Sequence, residues 1–467
     1  MKDQLKVTGL VHSPEATIND VEREPAAPVK QHMRICIVAE HASASFGGEA
    51  ILPVHYFRLL RSLGIECWLV VHTRTRAELA ELFPNDLERI LFVPDLWIHK
   101  LFFFLSRFLP RRLSEATFGL ANQLITQFCQ RSLVRQLIRD QQIDVVHQPI
   151  PVAPRFPSVM YGLSVPVVIG PLNGGMEYPR AFRGAESTFS RAAIAFARLF
   201  VDAANALLPG KKRADVVLVA NARTRQALPK GVQGKVIELV ENGIDFGVWR
   251  GPLIDRKNAA AESDLPRFIF LGRLVDWKAV DVVLRALQQV PLAHLEVIGD
   301  GPMREAWQSL AQELGVGERV RFSGWLPQQE CAVRLESATA LVLPSIYECG
   351  GAVVLEAMAM GKPVIATRWG GPADYLNASC GMLIEPESYE RLVAGFSDAM
   401  QRLIDSPELA RSMGAAGCER AARDFDWRRK IDQVIGIYRA LMEKSDAAAE
   451  FEEHEISSAA LRERQGR

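Results

Sequence analysis

Short apolar runs bounded by glycine, proline and small polar residues alternate along the chain with longer stretches whose apolar positions recur at helical spacing. In the first half such runs fall at 34–39, 65–71, 143–147, 165–169, 216–220 and 236–240, and each predicts a short buried strand. In the second half they fall at 267–271, 295–298, 320–322, 341–343, 364–367 and around 382–384. Between them the spacing predicts helices over 49–63, ended by Gly64, over 280–290, over 302–314 with Pro302 at its first position, and over 427–442. Strand, glycine-containing loop, helix, strand is the repeating unit of a doubly wound parallel sheet. The chain therefore reads as α/β, and at 467 residues it is long enough for two such domains. Residues 1–33 predict a loose polar arm, 34–245 a first domain, 246–265 a linker, 266–425 a second domain, 426–442 a last helix, and 443–467 a mobile charged tail.

One stretch concentrates the chemistry. Pro344 and Ser345 break the strand at 341–343, Gly350 and Gly351 allow a close turn, and a helix over 353–360 is stopped by Gly361 and Pro363 before the strand at 364–367. Glu348 lies in the loop and Glu356 more than a turn into the helix, with seven residues between them. The amides of Gly351, Ala352 and Val353 are left free at the helix start, where unpaired N–H groups and the helix dipole favour an anion. Two carboxylates flanking an anion site suit a ligand with hydroxyls on both sides of a phosphate, as in a nucleotide sugar.

Other positions join this picture with an alternative attached to each. Arg273 and Lys278 lie between the strand at 267–271 and the following helix, where two cations call for an anion; they also fit plain surface charges, and Asp276 competes for Lys278. Gly47 and Gly48 permit close backbone approach to a ligand, or form an ordinary turn. His147 stands where the strand at 143–147 exits, a position that suits a cleft residue and equally a structural histidine. The loop 170–175 should face the same cleft with Asn173 and Gly174, and Glu177 lies just beyond it.

Composition removes several classes. Lys plus Arg and Asp plus Glu are both 55, a balance that argues against a general nucleic-acid binder. Seven scattered cysteines with no CxxC pair suggest neither zinc nor a disulfide scaffold, and fit a reducing cytosol. No secretory signal is visible at the start, and no apolar run is long enough to span a bilayer. Residues 97–112 crowd aromatic and aliphatic side chains beside Lys100, Arg107, Arg111 and Arg112. This predicts either an interfacial helix on an anionic membrane or a helix packed on the sheet with a solvated basic edge.

The Glu, seven residues, Glu spacing inside loop, helix and strand resembles the signature of retaining nucleotide-sugar glycosyltransferases of family 4, and the resemblance covers roughly residues 34–440. It implies a GT-B fold, two Rossmann-like domains facing across a cleft, with the last helix crossing back to the first. It implies transfer of a hexose-type sugar from a nucleoside-diphosphate sugar to a saccharide or lipid-linked acceptor, in polysaccharide or glycolipid biosynthesis at the cytoplasmic side. Under it Arg273 and Lys278 hold the diphosphate, Glu348 and the amides of Gly350, Gly351 and Ala352 the sugar and diphosphate, and Glu356 the ribose hydroxyls. His147 would contact the donor sugar, Gly47 and Gly48 would lie against the diphosphate, and Asn173 and Gly174 would lie on the acceptor side. Trp325 and Leu326 would wall the nucleobase, although packing explains Trp325 as well. The leaving phosphate would take the acceptor's proton, so no metal and no cofactor is implied. Two departures touch the sugar side: Gly350 stands where the family commonly has an aromatic residue, and Asp374 where it often has Glu. A nucleotide-sugar epimerase or phosphorylase, or a catalytically silent binding protein, fits the same scaffold.

Overall fold

Two all-parallel sheets organise the chain. The computed structural model describes residues 33–45, 48–108, 118–183, 202–249 and 265–445. The expected arm over 1–32, most of the linker, the tail beyond 445, Gly47, Arg111 and Arg112 lie outside the described residues. The first sheet has seven strands: β1 (Arg34–Val38), β2 (Glu66–His72), β3 (Ile90–Val93), β4 (Val145–Gln148), β5 (Val167–Leu172), β6 (Val216–Val219) and β7 (Lys235–Glu238). The second has six: β8 (Arg267–Leu271), β9 (His294–Ile298), β10 (Val320–Gly324), β11 (Ala340–Leu343), β12 (Val364–Thr367) and β13 (Gly381–Ile384). Strands covered on both faces by helices need apolar residues at nearly every position. That is why β1, β6, β11 and β12 read as unbroken hydrophobic runs and are buried almost throughout.

Strand order fixes where a ligand can sit. The orders are β3-β2-β1-β4-β5-β6-β7 and β10-β9-β8-β11-β12-β13. Chain direction across the sheet reverses between β1 and β4 in one, and between β8 and β11 in the other. At such switch points the loops after neighbouring strands diverge and leave a crevice beyond their carboxyl ends. The loops after β1, β8 and β11 carry Gly48, Lys278 and Glu348.

β5 runs further than the sequence predicts, through Gly170 and Pro171 to Leu172. Gly170 adopts φ +106°, and a Cβ there would lie 2.3 Å from the Leu218 carbonyl oxygen. The register with β6 shifts between Ile169 and Leu172. The glycine lets the strand bulge and continue where it was expected to end.

The helix over 427–445 returns to the first lobe. Trp427, Ile431, Val434 and Tyr438 are buried in one apolar cluster with Ile35, Ile37 and Tyr56. A separate cluster built on Phe268, Leu341 and Val364 forms the core of the second lobe.

Candidate functional site

A cavity of about 500 Å³ lies where the two switch points face one another, lined from both lobes. Its C-terminal wall holds Lys278, Glu348, Gly350, Gly351, Ala352 and Glu356. Lys278 forms a short ion pair with Glu348, both side chains mostly buried. Its partner thus comes from the next loop of the sheet and not from Asp276, whose carboxylate accepts the Trp277 amide. The helix Ala352–Ala359 starts from Gly351 at φ +80°, with no side chain capping it, so its first amides face the cavity from a left-handed turn. The loop before it is clamped from behind. The Gly371 amide donates to the Glu348 carbonyl at 2.8 Å, and a Cβ on Gly371 would fall 1.6 Å from the Gly350 carbonyl oxygen. Glu356 is half-buried with no cation against it, and desolvation pushes its pKa up to about 8.

Trp325 and Leu326 line the same cavity. Trp325 is 66% exposed, so it is a wall and not core packing, while Leu326 leans on the second-lobe core. Gly272 lines the cavity, but Arg273 does not: its side chain is exposed and pairs with no carboxylate among the described residues. The expectation that Arg273 and Lys278 converge is met only by Lys278: the chain turns sharply at 273–275, where the Val275 amide donates to the Arg273 carbonyl at 3.1 Å, and the following turn Asp276–Lys278 brings Lys278 to the cavity.

The N-terminal wall was less expected. Gly48 lines it, at φ +55° with open space where a Cβ would go. Glu49 lines it as well; its Oε2 accepts the Val152 amide at 2.9 Å, and burial raises its pKa against the opposing pull of Val152 and Lys211. Asn173 is buried, and its Nδ2 donates to Glu241 Oε1 at 2.5 Å and to the Cys349 carbonyl at 2.9 Å, tying the lobes together. Glu241 also receives Asn242 Nδ2 at 2.9 Å, and burial raises its pKa. Buried Lys430 donates to the Glu241 carbonyl at 2.9 Å; desolvation lowers its pKa to about 7 although the Glu241 charge opposes this. Sequence reasoning missed Glu49 and Glu241 as lining residues. The available signals were the position of Glu49 directly after Gly48 and the turn formed by residues 241–245.

Two expected residues fall elsewhere. His147 is fully buried inside β4 and does not line the cavity. Its Nε2 meets the Gly170 carbonyl at 2.5 Å and its Nδ1 the Tyr438 hydroxyl at 2.6 Å. A carbonyl only accepts, so Nε2 carries the proton and Tyr438 donates to Nδ1. Burial keeps the ring neutral, with its pKa lowered to about 4. β4 continues through His147 to Gln148, so the histidine lies within the strand and not at its exit, and its side chain faces the returning helix. Gly174 is likewise outside the lining: a Cβ there would meet Pro154 at 2.6 Å. Asp374 accepts from Asn221 at 2.9 Å and from Arg223 at 3.2 Å, an interlobe contact.

Among the described residues one group gathers metal-ligating atoms, His72, Asp95 and His99, within 4.8 Å of one another. A ligating histidine normally donates its second ring N–H to an acceptor. Here His72 Nδ1 accepts the Arg74 amide at 3.3 Å and His99 Nδ1 the Leu96 amide at 3.2 Å, and the Arg74 guanidinium stands 4.0 Å from Asp95. That polarity suits a neutral cluster anchoring the helix Trp97–Ser106, not a cation. Trp97, Phe104 and Phe108 are exposed on this segment, with Trp97 at 74% and Phe108 at 70%. No helix among the described residues is long and apolar enough to cross a membrane.

Residues 253–420 match the family described as Glycosyl transferases group 1. The D-inositol 3-phosphate glycosyltransferase 1 of Catenulispora acidiphila is 31% identical over 232 residues, 46% of this chain and 54% of that protein. The lipopolysaccharide core biosynthesis glycosyltransferase LpsE of Rhizobium meliloti is 30% identical over 192 residues, 41% of this chain and 55% of that protein. The chain thus spans about half the length of the curated relatives it matches. Among solved structures, sucrose-phosphate synthase from Thermosynechococcus elongatus has a TM-score of 0.61 at 21% identity, covering 88% of this chain and 100% of that one. Anabaena HepE in complex with UDP has a TM-score of 0.60 at 16% identity, covering 87% and 100%. At such identities the likeness concerns the fold, and the two facing parallel sheets with their cleft are the GT-B architecture.

Proposed function

Residues 253–420 belong to glycosyl transferases group 1, and from that premise we propose that the chain moves a hexose-type sugar from a nucleoside-diphosphate sugar to a saccharide or lipid-linked acceptor, with retention and without a metal. The observation that carries the reading is the meeting of Lys278, Glu348, the open amides of the helix Ala352–Ala359 and Glu356 in one cavity. Cation, carboxylates and open amides lining one cavity suit a diphosphate between a sugar and a ribose. Lys278 is held ready by Glu348; on binding it turns to the diphosphate oxygens and neutralises the charge that grows as the sugar leaves. Glu348, released from that pair, accepts sugar hydroxyls, and Glu356 accepts the ribose pair. Arg273, uncompensated one residue from the cavity lining, supplies a second positive charge from outside. The bond from the anomeric carbon to the diphosphate oxygen breaks as the acceptor hydroxyl oxygen bonds to that carbon on the same face and passes its proton to the departing phosphate, so the anomeric configuration is retained.

An exposed apolar face elsewhere on the first lobe supports a lipid-linked substrate. Trp97, Phe104 and Phe108 are exposed beside Lys100, and the occupant this face fits is an anionic lipid surface at the inner side of the membrane. Calorimetry with a panel of UDP-, GDP- and ADP-sugars should find one donor bound at micromolar affinity. Proton NMR of the product should show the donor's anomeric configuration kept, and turnover should survive EDTA. An inverted product, or no donor bound from the panel, would end this reading. Pelleting with phosphatidylglycerol vesicles should fall when Trp97 and Phe108 become Ser while the protein stays folded.

A further inference from the structure

Gly350 is not a glycine for the sake of its backbone, which is not left-handed. It is a glycine because of what crosses the cleft. A Cβ on Gly350 would lie 2.4 Å from Asn242 Nδ2 and 2.5 Å from Glu241 Oε1, both from the other lobe. The space that a side chain would take in the loop beside Glu348 is filled by a carboxylate and an amide.

That carboxylate is held on one oxygen only. Glu241 Oε1 receives Asn173 at 2.5 Å and Asn242 at 2.9 Å, and these two amides are themselves fixed by the Cys349 carbonyl at 2.9 Å and the Tyr375 hydroxyl at 3.1 Å. Among the described residues Glu241 Oε2 has no hydrogen-bond partner, although the residue is only 5% exposed and lines the cavity. A buried carboxylate oxygen without a donor is costly, and a ligand hydroxyl presented to it recovers that cost. The side chain is already immobilised, so little conformational freedom is lost when the hydroxyl arrives. Lys430 stands on the backbone carbonyls of Glu241 and Asn242, and keeps positive charge close without occupying Oε2.

We propose that Glu241 is a specificity-determining residue whose Oε2 accepts a sugar hydroxyl at the seam between the lobes, and that Gly350, by having no side chain, leaves room for this carboxylate there. The inference rests on the sugar-transfer reading given above. The hydroxyl belongs either to the donor sugar beside Glu348 or to the acceptor sugar; the chemistry is the same, and the experiment separates the two.

The test compares wild type with Glu241→Gln and Gly350→Ala. Glutamine keeps the volume and can still receive Asn173 and Asn242 on its oxygen, but puts an N–H donor where Oε2 was. Gly350→Ala leaves the carboxylate in the chain and drives a methyl against it, so it probes the same contact if Glu241→Gln fails to fold. Affinities are measured by calorimetry, without acceptor, for UDP, UDP-glucose, GDP and GDP-mannose. Initial rates follow with the donor that binds and a series of methyl glycosides as acceptors. The inference expects affinity for the bare nucleotide to hold in Glu241→Gln; Gly350→Ala, which alters the loop at the diphosphate, is read only through the affinity the sugar adds to that variant's own nucleotide affinity. Either the extra affinity given by the sugar falls about tenfold in both variants, or it holds and the acceptor KM rises about tenfold; the first assigns the hydroxyl to the donor and the second to the acceptor. The double variant should be no worse than the poorer single one, because both remove one contact. Wild type binding none of these four probes and no other member of the UDP-, GDP- and ADP-sugar panel removes the transfer reading and this inference with it. Wild type binding a sugar nucleotide, with both variants unchanged in donor affinity and acceptor KM, overturns the inference alone.

Discussion

The two walls of the cleft are built differently. The C-terminal wall is charged and local: Glu348, Gly350, Gly351, Ala352 and Glu356 come from one loop and helix, and Lys278 from the neighbouring loop. The N-terminal wall is polar, buried and assembled at a distance, with Asn173 bridging Glu241, 68 residues on, and Cys349, 176 residues on. Charge grouped around a helix start is suited to meet an anion that arrives from solvent. A prepaid network of buried amides around a carboxylate is suited to hold two lobes and one oxygen in fixed register. The contrast teaches that one wall binds by electrostatics and the other selects by geometry, so that substitutions on the two should fail in different ways.

The largest effect belongs to the charged wall. Lys278→Ala should lower kcat for sugar transfer by about 10²–10³, the usual consequence of removing one preorganised group from developing charge, while the protein melts close to wild type. Steady-state rates and a thermal melt decide it. A variant that keeps wild-type kcat would mean that the Lys278–Glu348 pair is only structural.

On the other wall, stability and activity should fall together. Asn173→Ala removes a donor from a buried carboxylate and the link to the Cys349 carbonyl, and should cost roughly 1–3 kcal/mol in denaturant unfolding. Because the link joins the lobes, KM for the donor should rise as well. An unfolding midpoint that stays at the wild-type value would show that the network does not hold the lobes, and the contrast between the walls would lose its basis.

The charged wall was legible in the sequence because its parts are close together. A strand break, two glycines, a helix and two carboxylates within one short stretch predict their own relative geometry. The network was not legible, because nothing local in the turn at 241–245 says that its carboxylate meets Asn173 and Gly350. His147 shows the limit from the other side. That it belongs to β4 could be read, but which face its ring takes depends on the helix over 427–445 returning with Tyr438. Arg273 repeats the lesson, since the loop was identified and the direction of the side chain was not. Asp374, noted as a departure on the sugar side, turns out to bind Asn221 and Arg223 across the lobes.

His147 therefore offers a sharper division. His147→Phe keeps an aromatic ring among Tyr56 and Tyr438 but loses both ring hydrogen bonds, and should cost about 1–2 kcal/mol of stability. Nucleotide-sugar affinity should stay within about twofold by calorimetry. A tenfold loss of affinity in a variant that melts like wild type would return His147 to the cleft and blur the boundary between wall and core.

Glu356 tests the charged wall with the gentlest change. Its carboxyl has an ordinary value of 4.5 when the chain is unfolded and about 8 in the fold. Between those values the folded protein holds a proton that the unfolded chain has released, so this group's stabilising share is full below the lower value, declines as pH rises, and is gone above the upper one. Glu356→Gln has no proton to release, so its melting temperature relative to wild type should climb from pH 5 to 9. Binding runs the opposite way. A nucleoside diphosphate whose ribose hydroxyls need the ionised carboxylate should bind wild type up to about tenfold more tightly at pH 9 than at pH 7, and the glutamine variant should not share that gain. A wild-type affinity flat across this range would place the ribose away from Glu356 and leave the charged wall with Lys278 and the helix amides alone.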